Sequence, residues 1–324
     1  MDEVRIGISA CLLGDKVRYD GGHKLDTFLA GVLGAYVQWV RVCPEVEVGM
    51  GTPREPVRLV RTSRELRMIA VHTGIDHTAS MNAWAQERLE ALARERLCGY
   101  VLKKDSPSCG LDGVNVFGRA GVPVRSGRGL FAEALIRRFP NLPVTDEGRL
   151  TDRALRENFL EQVFAYGRLR SLFDGPWTIA TLAAFHAVHE LALLSHSPST
   201  GDRLDRLIAT DGVPSAARRE RYERLFMQAF AVLPTVQRHA NVLERLAACL
   251  APIVDNGASR ELKEHIASYR QRRVPLSVPL TLIREHVRRG ELDHLRAQTY
   301  LQPHPSELFR LTESSRHRGR DRVR

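Results

Sequence analysis

Lysine is scarce in this chain: only Lys16, Lys24, Lys103, Lys104 and Lys263 are lysines among 48 basic residues, and arginine supplies the rest. Cysteine is also scarce, an odd five scattered at Cys11, Cys43, Cys98, Cys109 and Cys249. The opening "MDEVRIGISACLLGD" has an acidic pair and a short apolar run, and does not read as an export signal. Few, odd and scattered cysteines without such a signal argue against a disulfide framework and give weight to metal binding or catalysis. No run approaches the roughly 18 to 20 apolar residues that would span a bilayer, so no membrane partner is expected. No GxxxxGK loop offers a route to ATP activation. The expected location is the cytoplasm.

The 324 residues suffice for two cores, and 43% hydrophobic with 27% charged residues is ordinary for a globular chain. The net charge of +10 is uneven, +3 over residues 1–150 and +7 over 151–324. A basic, arginine-rich second half suits a polyanionic partner, although arginine-preferring codon usage produces the same count.

The first half alternates in type. "VRIGIS" (4–9), "YVQWVRV" (36–42), "RELRMIAV" (64–71) and "GYVLKK" (99–104) read as strands, and residues 76–98 and 129–139 as amphipathic helices. This predicts an α/β fold with a mostly parallel, Rossmann-like sheet flanked by helices. "PNLPVTDEGRLTD" (140–152) reads as a linker. Beyond it six segments carry helical periodicity (155–173, 178–196, 216–233, 236–251, 260–273 and 280–301), punctuated by prolines and glycines. The expected domains are therefore 1–150 (α/β), 151–311 (all-α) and a disordered basic tail, 312–324.

Three thiols stand at strand ends. Cys11 follows "IGIS", Cys43 follows "YVQWVRV", and Cys109 lies a few residues past "GYVLKK" in "KKDSPSCG". Parallel strands share one carboxyl edge, where ligands bind, so the three are predicted to converge there. Three thiolates make a soft site suited to zinc or iron–sulfur, and spacing alone leaves the two level. A missing fourth ligand leaves a position open for substrate. Cys98 and Cys249 read as buried structural thiols.

The runs "SACLLGDKVRYDGG", "CPEVEVGMGTPREP" and "KKDSPSCG" together resemble the thiouracil desulfidase family over about residues 4–150. The resemblance implies a 4Fe-4S cluster on Cys11, Cys43 and Cys109, with one iron free for the sulfur of a thiolated pyrimidine. It also implies a catalytic carboxylate at Glu45 and a catalytic serine at Ser106. On chemical grounds Glu45 is the base for water and Ser106 the proton relay. Their structural alternatives are an ion pair of Glu45 with Arg54 or Arg58, and a turn cap at Ser106. Arg18, Asp20 and Ser108 are candidate substrate contacts, or, for the 18–20 loop, residues that order it. Lys103 and Lys104 screen cofactor charge, meet phosphate or solvate a strand end.

In the second half His186, His189 and His196 fall near one helix face and are read as satisfied or exposed rather than ligating. That half resembles the helical family typified by YbgA over roughly 156–309, with Arg245 standing where relatives tend to carry histidine. The combination resembles tRNA 4-thiouridine desulfidases, which implies tRNA as partner, with "YRQRR" (269–273) and "REHVRR" (284–289) as phosphate contacts. No obligate protein partner is inferred. The competing readings are a desulfidase of free thiouracil, a non-catalytic RNA-binding protein with a structural zinc, and sulfur insertion, which the missing ATP loop disfavours.

Overall fold

The computed structural model describes residues 3–63, 65–118, 122–210, 213–305 and 308. It divides into two compact units. One runs to Gly167 and takes the chain back from Pro305, and the other is Arg168–His304. The dividing point lies within one long helix rather than in the expected linker.

The first unit holds strands β1 (Arg5–Ser9), β2 (Gln38–Val42), β3 (Val57–Arg61), β4 (Leu66–Ala70), β5 (Gly99–Leu102), β6 (Val114–Phe117), β7 (Pro123–Gly127) and β8 (Val144–Asp146). Its helices are α1 (Pro44–Glu47), α2 (Thr78–Arg94), α3 (Leu130–Arg138) and the start of α4 (Arg153–Phe173). The strands form two sheets, β2-β1-β5-β8 and β4-β3-β6-β7. The first is wholly parallel. Ile6 and Ile8 of β1 and Val101 of β5 share a core with Phe159, Leu160 and Val163 of α4. On the other side of the strands Tyr100 packs against Phe131 of α3, which in turn meets Trp84 of α2. Helices thus cover both faces, and the α/β class holds.

Two readings need correction. "RELRMIAV" is a strand, but it pairs antiparallel with β3 in the second sheet, so the strands do not form one sheet. The expected linker contains β8, which pairs with β5. Its three residues "VTD" gain their strand from that neighbour, not from their own composition.

The second unit is helical: the end of α4, then α5 (Ile179–His196), α6 (Pro198–Ala209), α7 (Ala216–Phe230), α8 (Val236–Leu250), α9 (Asn256–Arg270), α10 (Ser277–Arg289) and α11 (Asp293–Arg296). No described helix is long and apolar enough to cross a membrane. The 312–324 tail lies outside the described residues.

Candidate active site

A cavity of about 410 Å³ opens where β1, β2 and β5 end, and Cys11, Cys43 and Cys109 all line it. The adjacency β2-β1-β5 is what gathers them. Cys11 sits in a helical turn directly after β1. Its carbonyl accepts from the amides of Gly14 (3.3 Å) and Lys24 (2.9 Å), which folds the intervening loop back over the edge. Cys43 caps α1, its amide donating to Glu47 Oε1 at 2.9 Å.

Cys109 ends a tight loop after β5. The Ser106 hydroxyl oxygen accepts from the amides of Ser108 (3.3 Å) and Cys109 (3.2 Å). The first turn of α3 then locks the loop, because Leu130 N donates to Pro107 O and Ala132 N to Ser108 O, both at 3.1 Å. Helix donors without intrahelical partners are satisfied by the cysteine loop itself. Close approach requires glycine at the cap: a Cβ on Gly129 would stand 2.4 Å from the carbonyl carbon and oxygen of Ser108.

Burial raises all three thiol pKa values, for Cys11 to about 11. For Cys11 the neighbouring Cys43 adds to the rise, while Lys103 and Arg18 oppose it. For Cys109 the rise is larger, and a hydrogen bond from Ser9 opposes it. A metal group binding here displaces the thiol protons. The soft donor set fits such a group. The thiols share one cavity without crowding round a point: among the described residues no three His, Cys, Asp or Glu side chains stand close enough to hold one ion.

Glu45 and Arg54 form a nearly buried ion pair, with side chains 12% and 5% exposed. Arg54 Nε (2.9 Å) and Nη2 (2.6 Å) both donate to Glu45 Oε2. The other oxygen, Oε1, accepts from Ser108 Oγ at 2.7 Å, with Ser106 Oγ at 3.5 Å. Ser106 and Ser108 hydroxyls are 2.9 Å apart. The direction of this chain follows from counting: both lone pairs of Ser106 Oγ already accept amides, so its proton points to Ser108, whose own proton points to Glu45. Ser108 is therefore the hydroxyl nearest the carboxylate and sits between Glu45 and Ser106.

The remaining candidates separate. Arg18 lines the cavity, its guanidinium 5.3 Å from the Tyr19 ring centroid. Asp20 does not line it: the side chain is exposed, and its Oδ1 accepts from Gly22 N at 3.0 Å, which holds its carboxyl below the usual range. It orders the loop. Lys103 pairs with Glu147, and Lys104 reaches the cavity mouth. The lining residues Ser9 and Lys24 carry no sequence signal as site residues, Tyr19 reads from sequence as a residue that orders its loop, and Arg54 is legible only as a partner for Glu45. Cys98 is buried as expected, but Cys249 is exposed, because α8 turns Leu243, Leu246 and Leu250 inward instead.

His186, His189 and His196 of the helical unit are satisfied as expected. His186 Nε2 lies 2.9 Å from Asp205 Oδ1 and its Nδ1 3.1 Å from the Tyr222 hydroxyl. His189 Nδ1 donates to Phe185 O (2.7 Å) while Nε2 accepts from Arg168 Nε (3.2 Å). His196 Nδ1 donates to Val232 O at 2.7 Å. Glu190 is held by Arg245 at 2.7 Å.

The profile of a family described as 2-thiouracil desulfurase matches residues 6–147. Over 108 residues the chain is 30% identical to the uncharacterized protein YbbK of Bacillus subtilis, a span of 32% of this chain and 71% of that one. The chain belongs to the 2-thiouracil desulfurase family. All three rim cysteines, Glu45, Ser106 and Ser108 fall inside the span that matches the desulfurase profile. Residues 191–305 match a second family, a protein of unknown function (DUF1722). A solved structure named the 4Fe-4S-dependent thiouracil desulfidase TudS is 35% identical in sequence, covering 46% of this desulfurase-family chain and 94% of its own, with a TM-score of 0.38.

Proposed function

We propose that this chain is a cytoplasmic iron–sulfur-dependent desulfidase that removes sulfur from a thiolated pyrimidine, with 4-thiouridine in tRNA as its substrate. The observation that carries the reading is one cavity lined by three thiols from neighbouring parallel strands and by a fixed carboxylate with two linked hydroxyls. Cys11, Cys43 and Cys109 would hold a 4Fe-4S cluster, which when bound supplies a soft Lewis acid for the thiocarbonyl sulfur.

The protein's own residues do the proton chemistry. Arg54 fixes Glu45 through Oε2 and so aims Oε1 into the cavity. Oε1 takes a proton from the water that attacks the ring carbon. Ser108, which donates to Oε1 and is oriented by the Ser106 hydroxyl, gives the path for returning a proton toward the ring or the departing sulfur.

Support for RNA as the carrier comes from the basic second half. Arg272, Arg273 and Arg288 are exposed and make no ion pair among the described residues, as phosphate contacts require. Arg284 is instead spent on Leu301 O (2.5 Å) and Arg270 pairs with Glu244 (2.6 Å), so they contribute less than expected. Free thiouracil is the second reading, favoured by the description of the family that residues 6–147 match, 2-thiouracil desulfurase.

The test is anaerobic expression followed by incubation with thiolated tRNA and with thiouracil, measuring loss of 4-thiouridine and release of sulfide. Wild type is expected to be brown and active, and Cys109→Ala and Glu45→Ala inactive. Colourless protein with one zinc, or full turnover by either variant, would refute the proposal.

A further inference from the structure

Ser9 is the last residue of β1 and lines the cavity while only 3% exposed. The proton chemistry assigned to Glu45, Ser106 and Ser108 makes no use of it. A buried hydroxyl has two lone pairs and one proton to place. Its Oγ accepts from the amide of Lys103, the first residue past β5, at 2.9 Å. That bond ties the exit of β5 to the end of its neighbour β1 and fixes where the hydroxyl stands. The proton is left over, and the acceptor in its reach is the sulfur of Cys109.

The three thiols differ in what offsets their burial. Beside Cys11 stand Lys103 and Arg18, and beside Cys43 the Val46 backbone and Arg54. Cys109 is more deeply set than either, and the group that opposes its burial is the neutral hydroxyl of Ser9. Ser108 Oγ also lies 3.8 Å from this sulfur, but its proton is committed to Glu45 at 2.7 Å. Ser9 is thus the hydroxyl with a proton to give there.

Resting on the desulfidase reading, we propose that Ser9 is a positioning residue of the centre, whose hydroxyl donates to the Cys109 sulfur and draws charge from that thiolate when a cluster is held. A hydrogen bond to a ligating sulfur stabilises the added electron of a reduced centre and weakens the sulfur's donation to its iron. The bound group is then easier to reduce, and more acidic toward a soft ligand, with Ser9 than without it. A hydroxyl present only to hold the Lys103 amide would leave both properties alone.

Redox titration of the anaerobically reconstituted full chain, followed by its visible absorption, tests this in wild type, Ser9→Ala, Ser9→Thr and Ser108→Ala. The potential is read on whatever fraction carries the cluster, so a loss of loading does not mask it. Ser9→Ala should be reduced about tenfold less favourably, a fall of about 59 mV for one electron. Ser9→Thr, which keeps the hydroxyl, should hold the wild-type potential, and so should Ser108→Ala. An unmoved potential in Ser9→Ala overturns the inference, as does an equal fall in Ser9→Thr or in Ser108→Ala. Iron and acid-labile sulfide in the wild type report on the desulfidase reading separately. Their absence refutes that reading and this inference together, whereas a cluster-bearing wild type matched in potential by Ser9→Ala refutes this inference alone.

Discussion

At the scale of single residues, Glu45 makes the ion pair weighed for it with Arg54 and meets the serines through its other oxygen. The ion pair with Arg54 occupies Oε2, and the serines occupy Oε1. Sequence could name Arg54, which shares the run "CPEVEVGMGTPREP" with Glu45, but not that the carboxylate meets Arg54 and the serines through different oxygens. Nor could it rank the hydroxyls: "SPSC" offers two, and only the loop's amide bonds show that Ser106 must donate onward to Ser108. Ser108→Ala is therefore expected to slow sulfide release about a hundredfold while iron content stays at the wild-type level. Unchanged turnover would mean that Ser108 only shapes the loop. Arg54→Gln strands a nearly buried carboxylate, which costs about 3 kcal/mol. The melting transition of the first unit should drop by roughly 6 to 12 °C, and a shift under 2 °C would show that water already satisfies Glu45.

At the scale of elements, what was legible depended on burial. β1 and β5 have near-continuous apolar runs because both faces are covered, and β2, "QWVRV", is still apolar enough to read; the three fix the rim. β3 "VRLVR" and β7 "PVRSG" went unread since one face or more meets solvent, and charge there imitates a loop. α6 was missed because "PSTGDRL" opens with residues that look like punctuation. Proline at the first helical position is in fact a start signal, its lacking amide being one the helix does not use. Pro279 sits in the first turn of α10 for the same reason. The glycine joining α3 to the cysteine loop gives a test at this scale. Gly129→Ala forces a methyl into the Ser108 backbone, a strain of about 1–3 kcal/mol. Its expected sign is a lower ratio of iron to protein after anaerobic reconstitution, with Ala132→Ser, one turn on, as a mild control. Full iron loading of Gly129→Ala would refute the idea that the helix start holds the thiol in place.

At the scale of the whole molecule, the sequence discloses two halves of different class, and the compact units divide within α4, which shows no break in composition there. The helical unit carries an acid sensitivity of its own. Burial, then the nearby Arg168, hold His189 down to a pKa of about 3. The unfolded chain titrates this group near 6.5, so between about pH 6.5 and pH 3 it binds a proton that the folded one refuses. Stability contributed by neutral His189 is complete above pH 6.5 and is lost as pH falls, by roughly 1.4 kcal/mol per pH unit. Melting curves from pH 7 to pH 4 should show this slope in wild type and a flatter one in His189→Gln. Equal slopes would place the acid sensitivity elsewhere.

The three rim cysteines lie on loops separated by 32 and 66 positions in the chain, and only the side-by-side seating of β2, β1 and β5 makes them neighbours. A nascent or unravelled polypeptide therefore offers an iron donor nothing but isolated thiols. Under the proposed function, binding of a cluster by all three thiols is therefore coupled to closure of the sheet, and its free energy adds to the stability of that fold.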